Sequence, residues 1–107
     1  MSHDYTALAA CLIDIEEELC RLNQWQAQAP SAEDLASTQP FCVDTLRFSQ
    51  WVQFVFIPLL STLIGRRALL PVKSQITPMA EEYCKVEALE GATLIALFKQ
   101  LDSLLTV

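Results

Sequence analysis

The stretch WVQFVFIPLLSTLI, residues 51–64, decides the fold. Its only polar members are Gln53, Ser61 and Thr62, so apolar side chains cover nearly the whole circumference of a helix built from it. A helix apolar all round belongs at the centre of a protein, with the other helices around it. Its 14 residues rise about 21 Å, short of the roughly 30 Å hydrocarbon core of a bilayer. Gly65-Arg66-Arg67 then ends the run abruptly. The reading is a buried core helix, with no membrane association. Pro58 removes a backbone donor and crowds the carbonyl of Phe54, so a kink is expected. Gly65 suits the C′ position of the helix, which places Arg66 and Arg67 at the negative end of its dipole. The sharper alternative for the two arginines is contact with an anion or an acidic partner.

Upstream, STQPFCVDT (residues 37–45) has turn formers mixed with apolar Phe41 and Val43 and with Cys42. It reads as the entry loop of the central helix. Phe41 and Val43 are expected to tuck beneath that helix, and Asp44 or Thr45 to cap or begin it. Packing gives no reason for Gln39. Trp51, Phe54 and Phe56 read as core.

The N-terminal region carries Tyr5, Leu8, Leu12, Ile15, Leu19 and Leu22 at alternating spacings of three and four, one helical stripe. A helix is expected from about Asp4 to Trp25, with Asp14, Glu17, Glu18 and Arg21 on its water side. Pro30 closes the segment. Ser31 caps a short helical turn in SAEDLA, with Glu33 and Asp34 favourable near its start. Downstream, ALLPVKSQI (residues 68–76) reads as an extended connector around Pro71. Thr77 as N-cap and Pro78 at the first helical position open another helix, with Glu81 and Glu82 in its first turn. The last helix is expected from Ala92 to Thr106. Its buried stripe is Leu94, Leu97, Phe98, Leu101, Leu104 and Leu105, with Lys99, Asp102 and Ser103 outside. No strand alternation or repeat is visible. The fold expected is all-α: one domain over 1–107, a compact bundle of four main helices plus a short helical turn, with a buried, Pro-kinked central helix.

Composition agrees. The chain has 107 residues, 52% hydrophobic, with 2 Gly and 5 Pro, as befits a globular domain large enough for one core. Its net charge of −6, from 13 acidic against 7 basic residues, argues against direct nucleic-acid binding, which rests on lysine and arginine. It suits a basic protein partner. The start MSHDYTALAACLIDIEEELC has no positive n-region and reads as no signal peptide. Cys11, Cys20, Cys42 and Cys84 form no CxxC pair, which points to reduced, buried thiols in the cytoplasm and to no metal site.

Catalytic groups are scarce. His3 is the only histidine, and no phosphate-binding or zinc-protease motif is present. Glu81-Glu82 and Glu16-Glu17-Glu18 are consecutive along helices, where neighbouring side chains point apart, and they read as solvated faces. No enzyme activity and no cofactor are expected.

STQPF, then DTL, WVQFVFIP and LLP with a further proline, over residues 37–80, resemble the YqcC-like family of small bacterial proteins. The motif positions are Ser37, Thr38, Gln39, Pro40, Phe41, Asp44, Thr45, Trp51, Gln53, Pro58 and Pro71. The chain departs from the family pattern at Cys42, where a bulky apolar residue is expected, and at Leu59, where a basic one can occur. The resemblance implies an all-helical bundle and an accessory role near tRNA pseudouridylation. It does not imply that this chain is the synthase.

The leading expectation is a non-enzymatic protein that binds another protein, a tRNA pseudouridine synthase being the candidate partner, as a monomer or weak homodimer. The candidate contact residues are Ser37, Thr38, Gln39, Pro40, Phe41, Asp44, Trp51, Gln53, Arg66 and Arg67. The alternative is a small-ligand site at the Pro58 kink, lined by Gln39, Phe41, Asp44, Trp51 and Gln53.

Overall fold

Helix periodicity is carried into three dimensions by five helices in the computed structural model, which describes residues 4–70 and 75–106. They are α1 (Tyr5–Arg21), α2 (Ala32–Leu35), α3 (Phe48–Gly65), α4 (Thr77–Val86) and α5 (Ala92–Leu105). A 3₁₀ turn at Pro40–Cys42 lies between α2 and α3. No strand occurs among the described residues. Residues 71–74 of the connector, Pro71 among them, and His3 lie outside them.

α1 is capped at its start by Asp4, whose carboxylate accepts from the Ala7 N–H at 3.0 Å. The Ser31 hydroxyl caps α2 in the same way, accepting from the Asp34 N–H at 3.1 Å. α1 ends four residues before Trp25, because Asn23 turns left-handed at φ 60. The Asn23 and Gln24 N–H groups then bond back to the carbonyls of Cys20 and Leu19 at 3.0 and 2.8 Å, closing a Schellman motif. α3 closes similarly, but two positions later than expected. Arg67, at φ 49, takes the left-handed position assigned to Gly65, and no glycine has positive φ. Ala68 and Arg67 bond back to Leu63 and Ile64 at 2.9 and 3.0 Å.

α3 is longer than its apolar run, 18 residues, or about 27 Å. By length and composition it could cross a membrane, and 28% of it is buried inside this bundle. The irregularity expected at Pro58 takes the form of a π-helical segment, Val52–Phe56, in which the Ile57 N–H reaches back to the Val52 carbonyl. Residues five apart are thereby brought together: Trp51 stacks on Phe56 with ring centroids 5.1 Å apart. α3 is also less enclosed than its composition suggests. Phe48, Ser49, Val52, Gln53, Phe56 and Leu60 are buried, whereas Ile57, Leu63 and Ile64 are half-buried and Leu59 is 57% exposed.

The core joins Leu8, Cys11, Leu12, Ile15 and Leu19 of α1 to the inner face of α3, to Ala80, Tyr83 and Cys84 of α4, and to Leu94, Phe98, Leu101 and Leu105 of α5. α5 lies against both α1 and α4. Cys11, Cys42 and Cys84 are buried free thiols, while Cys20 is exposed, contrary to the expectation of four buried ones. Burial, with Asp14 adding to it, pushes the Cys11 thiol up to about 11. At neutral pH it stays protonated and faces the Leu97 carbonyl at 3.4 Å.

Two charges placed outside by periodicity are engaged with the fold, Glu18 buried and Asp102 half-buried. Glu18 is buried and its carboxylate pairs with the Arg21 guanidinium, Nε to Oε1 at 2.9 Å. Asp102 reaches across from α5 to the start of α4, accepting from the Ile76 N–H at 3.1 Å and the Thr77 N–H at 2.9 Å. Thr77 is therefore the first residue of α4 and Ile76 its N-cap, and the Thr77 hydroxyl donates to Asp102 at 2.6 Å.

Both observations are testable. The hydrogen bond from Arg21 lowers the Glu18 pKa more than burial raises it. A depressed folded-state value contributes stability above the unfolded glutamate value of about 4.3, which is lost as pH falls through the folded value. Urea midpoints measured down through that range should fall less steeply for Glu18→Gln than for the parent. Equal slopes would show that the pair does not act on stability.

Gly91, ahead of α5, has no room for a side chain: a Cβ would lie 2.3 Å from Cys84 Sγ and 2.8 Å from Cys84 Cβ. Gly91→Ala should destabilise by about 1–3 kcal/mol through overpacking. Gly91→Ala combined with Cys84→Ala should recover part of that loss in urea unfolding, and no recovery would place the strain elsewhere.

Candidate functional site

The entry loop is held by its own small polar groups. The Ser37 hydroxyl donates to Asp44 Oδ1 at 2.5 Å and accepts from the Gln39 N–H at 3.1 Å. The Thr45 hydroxyl donates to the Asp34 carbonyl at 2.7 Å, tying the loop to α2. Asp44 thus braces the loop and does not cap α3. At that helix start the Arg47 N–H donates to Gln50 Oε1 at 2.7 Å. Phe41 and Cys42 both have positive φ, 58 and 49. This turns Cys42 into the interior and lays Phe41 edge-on against Trp51, with centroids 4.8 Å apart. Val43 does not tuck under the helix and is 61% exposed.

Gln53 has a different task. Its Oε1 accepts from the Gln26 N–H at 2.9 Å, and its Nε2 donates to the Gln26 carbonyl at 2.8 Å. One side-chain amide thus satisfies a main-chain donor and acceptor and fixes the α1–α2 connection to the π segment. Beside it, the Tyr83 hydroxyl bonds to Gln24 Oε1 and, at 3.0 Å, to Ser49 Oγ. Burial raises the Tyr83 pKa, which keeps the phenol neutral.

The ten candidate residues therefore fall in three places. Ser37, Thr38, Gln39, Pro40, Phe41, Asp44 and Trp51 gather at the loop. Gln53 engages Gln26. Arg66 and Arg67 sit at the far end of α3, about 22 Å along the helix from Trp51. There the Arg67 guanidinium lies 5.4 Å from the centre of the Tyr5 ring, whose hydroxyl donates to the Ala68 carbonyl at 3.0 Å.

Two depressions of the surface are lined by neither the loop residues nor Gln53. α1 and α3 run antiparallel, since the start of α1 meets the end of α3 through Tyr5. Between them is an open groove of about 270 Å³, lined by Ala9, Leu12, Ile13, Glu16, Ile57, Ser61, Ile64 and Gly65. A shallower, more polar depression of about 500 Å³ follows Gln26–Pro30 and Gln50. The groove is mostly apolar, with Ile13 59% exposed at its lip and Glu16 as its one charged lining residue. Its volume lies below the usual range for drug-sized ligands, roughly 300–1,000 Å³. One trace of it was present in the sequence: Ile13 is apolar outside the stripe of α1. Among the described residues no cluster of three or more His, Cys, Asp or Glu is placed to hold a metal.

Comparison with known proteins matches residues 7–104 to a domain family described as tRNA pseudouridine synthase C (DUF446). The uncharacterized protein YqcC of Escherichia coli is 32% identical over 89 residues, 82% of each chain. An uncharacterized protein of Haemophilus influenzae is 42% identical over 65 residues, 61% of each chain. A Pectobacterium carotovorum chain named tRNA pseudouridine synthase C is 38% identical over 60 residues, 56% of this chain but only 16% of that one. The solution structure of E. coli YqcC superimposes with a TM-score of 0.83 at 26% identity, covering 95% of this chain and 87% of that one.

Proposed function

The chain belongs to the family described as tRNA pseudouridine synthase C, and from that premise we propose that it is a non-enzymatic helical accessory module that binds a tRNA-modifying enzyme of the pseudouridine synthase kind. One observation carries this reading: a stretch similar to this chain makes up 16% of a much longer chain that bears the synthase name. A module joined to a synthase in one bacterium is suited to work beside a synthase when it is a separate chain. The protein's own chemistry supports the same reading. Its net charge of −6 disfavours direct contact with tRNA phosphates, and an acidic surface complements a basic, RNA-handling protein. The place of action would be the cytoplasm, where tRNA is modified. The exposed polar loop at residues 37–45 and the groove between α1 and α3 are the surfaces offered to the partner.

The test is co-expression of the full chain with the tRNA pseudouridine synthase of the same genome, followed by size-exclusion chromatography. Pseudouridine in tRNA from a strain lacking the chain is measured alongside. Co-elution and a reduced pseudouridine content are expected. Separate elution together with unchanged modification would overturn the proposal.

A further inference from the structure

We infer that the groove between α1 and α3 receives a single amphipathic helix of a partner chain, with lysine or arginine set against Glu16. The inference rests on the accessory reading above and specifies its contact.

The dimensions suit a helix. From Ala9 to Glu16 the groove follows about 10 Å of α1, two turns. That length takes three apolar side chains spaced as i, i+4 and i+7. The walls are Leu12, Ile13, Ile57 and Ile64, and the floor is low at Ala9, Ser61 and Gly65. At Gly65 an added Cβ would meet nothing within 4 Å, so the space above this end of α3 is open to an incoming chain.

Charge identifies the occupant. Glu16, the one charged residue lining the groove, stands at one end of it. The exposed Arg66 stands at the other end, next to Gly65. A helix seated between them has basic residues at one end and acidic residues at the other. An anionic lipid surface fits poorly, because it would be repelled by a chain of net charge −6. A second copy also fits poorly. Two concave faces brought together by a two-fold axis leave both grooves empty, and the only strongly exposed large apolar side chain lining the groove is Ile13.

The probe is a fluorescein-labelled helical peptide of fifteen residues, with leucines at the i, i+4 and i+7 positions of one face and two lysines at the one end that meets Glu16. A twin carries glutamates in place of the lysines. Titrated against the full chain at low salt, the lysine peptide should bind about tenfold tighter or better by anisotropy, and shift amide resonances of Ile13, Ile57, Ser61 and Gly65. Glu16→Lys should invert the preference. Gly65→Leu fills the open end without touching the fold and should weaken the lysine peptide by about tenfold. Equal affinity for both peptides, shifts confined to other surfaces, or an unaltered Gly65→Leu variant would overturn the inference. A dimer in sedimentation that Gly65→Leu dissociates, or co-sedimentation with phosphatidylglycerol vesicles, would assign the groove to a second copy or to lipid instead. Synthase co-elution separates the two claims. If it persists with Gly65→Leu, the accessory reading stands and the groove is not its contact; if it is absent from the parent chain, the accessory reading itself fails.

Discussion

Phe98→Ala should cost about 3–5 kcal/mol of unfolding free energy, the penalty for deleting a buried phenylalanine ring and leaving a cavity. Phe98 is wholly inaccessible and sits at the middle of α5, where that helix contacts both α1 and α4. Its ring lies 5.5 Å from Phe48, the first residue of α3, so one side chain joins the central helix to the rest of the core. Domains of this size are stable by roughly 5–15 kcal/mol, so the variant should lose a large share of its stability. Urea unfolding followed by circular dichroism measures it, and a loss below about 1 kcal/mol would mean the core is not organised around this ring.

Asp102→Ala should cost about 2–3 kcal/mol, more than an ordinary cap, because the carboxylate serves several donors of another helix at once. The Ile76 and Thr77 N–H groups and the Thr77 hydroxyl all point at it. Ile76 and Thr77 are 4% and 8% exposed, so donors abandoned there find little water. Favourable interaction of a negative charge with the start of α4 is lost as well. Asp102→Asn keeps one acceptor oxygen and should fall between parent and alanine variant. In hydrogen exchange, the amides of Ile76 and Thr77 should lose protection in Asp102→Ala before those of α1 do. Uniform loss across the bundle, with no preference for α4, would count against a capping role.

Asp102 also shows where reading by period stops. Its position in the repeat of α5 is on the rim, beside Lys99 and Ser103, and nothing local distinguishes it from them. What makes it different is the start of α4, which tertiary packing brings within 3 Å of its oxygens. Gln53 is the same case. As the one amide in an apolar run it invited a ligand, and the ligand proves to be the main chain of Gln26. The pairing depends on a π segment that no spacing rule revealed. Glu18 lies in a glutamate run that reads as solvated, yet the turn of α1 carries it inward with Arg21 as its partner.

Helix number and order, the α5 stripe, the cap at Ser31 and the burial of Phe98 were legible from local pattern, because each depends on residues within a turn or two of one another. The hydrophobicity of residues 51–64 fixed α3 as a core element. It could not say how much of that helix its neighbours would cover, since coverage depends on where α1 crosses it. The α1–α3 groove, the amide clamp of Gln53 and the cap from Asp102 were decided only by the tertiary structure. Each of them joins groups more than twenty residues apart in the chain, and sequence pattern carries no distance information at that range.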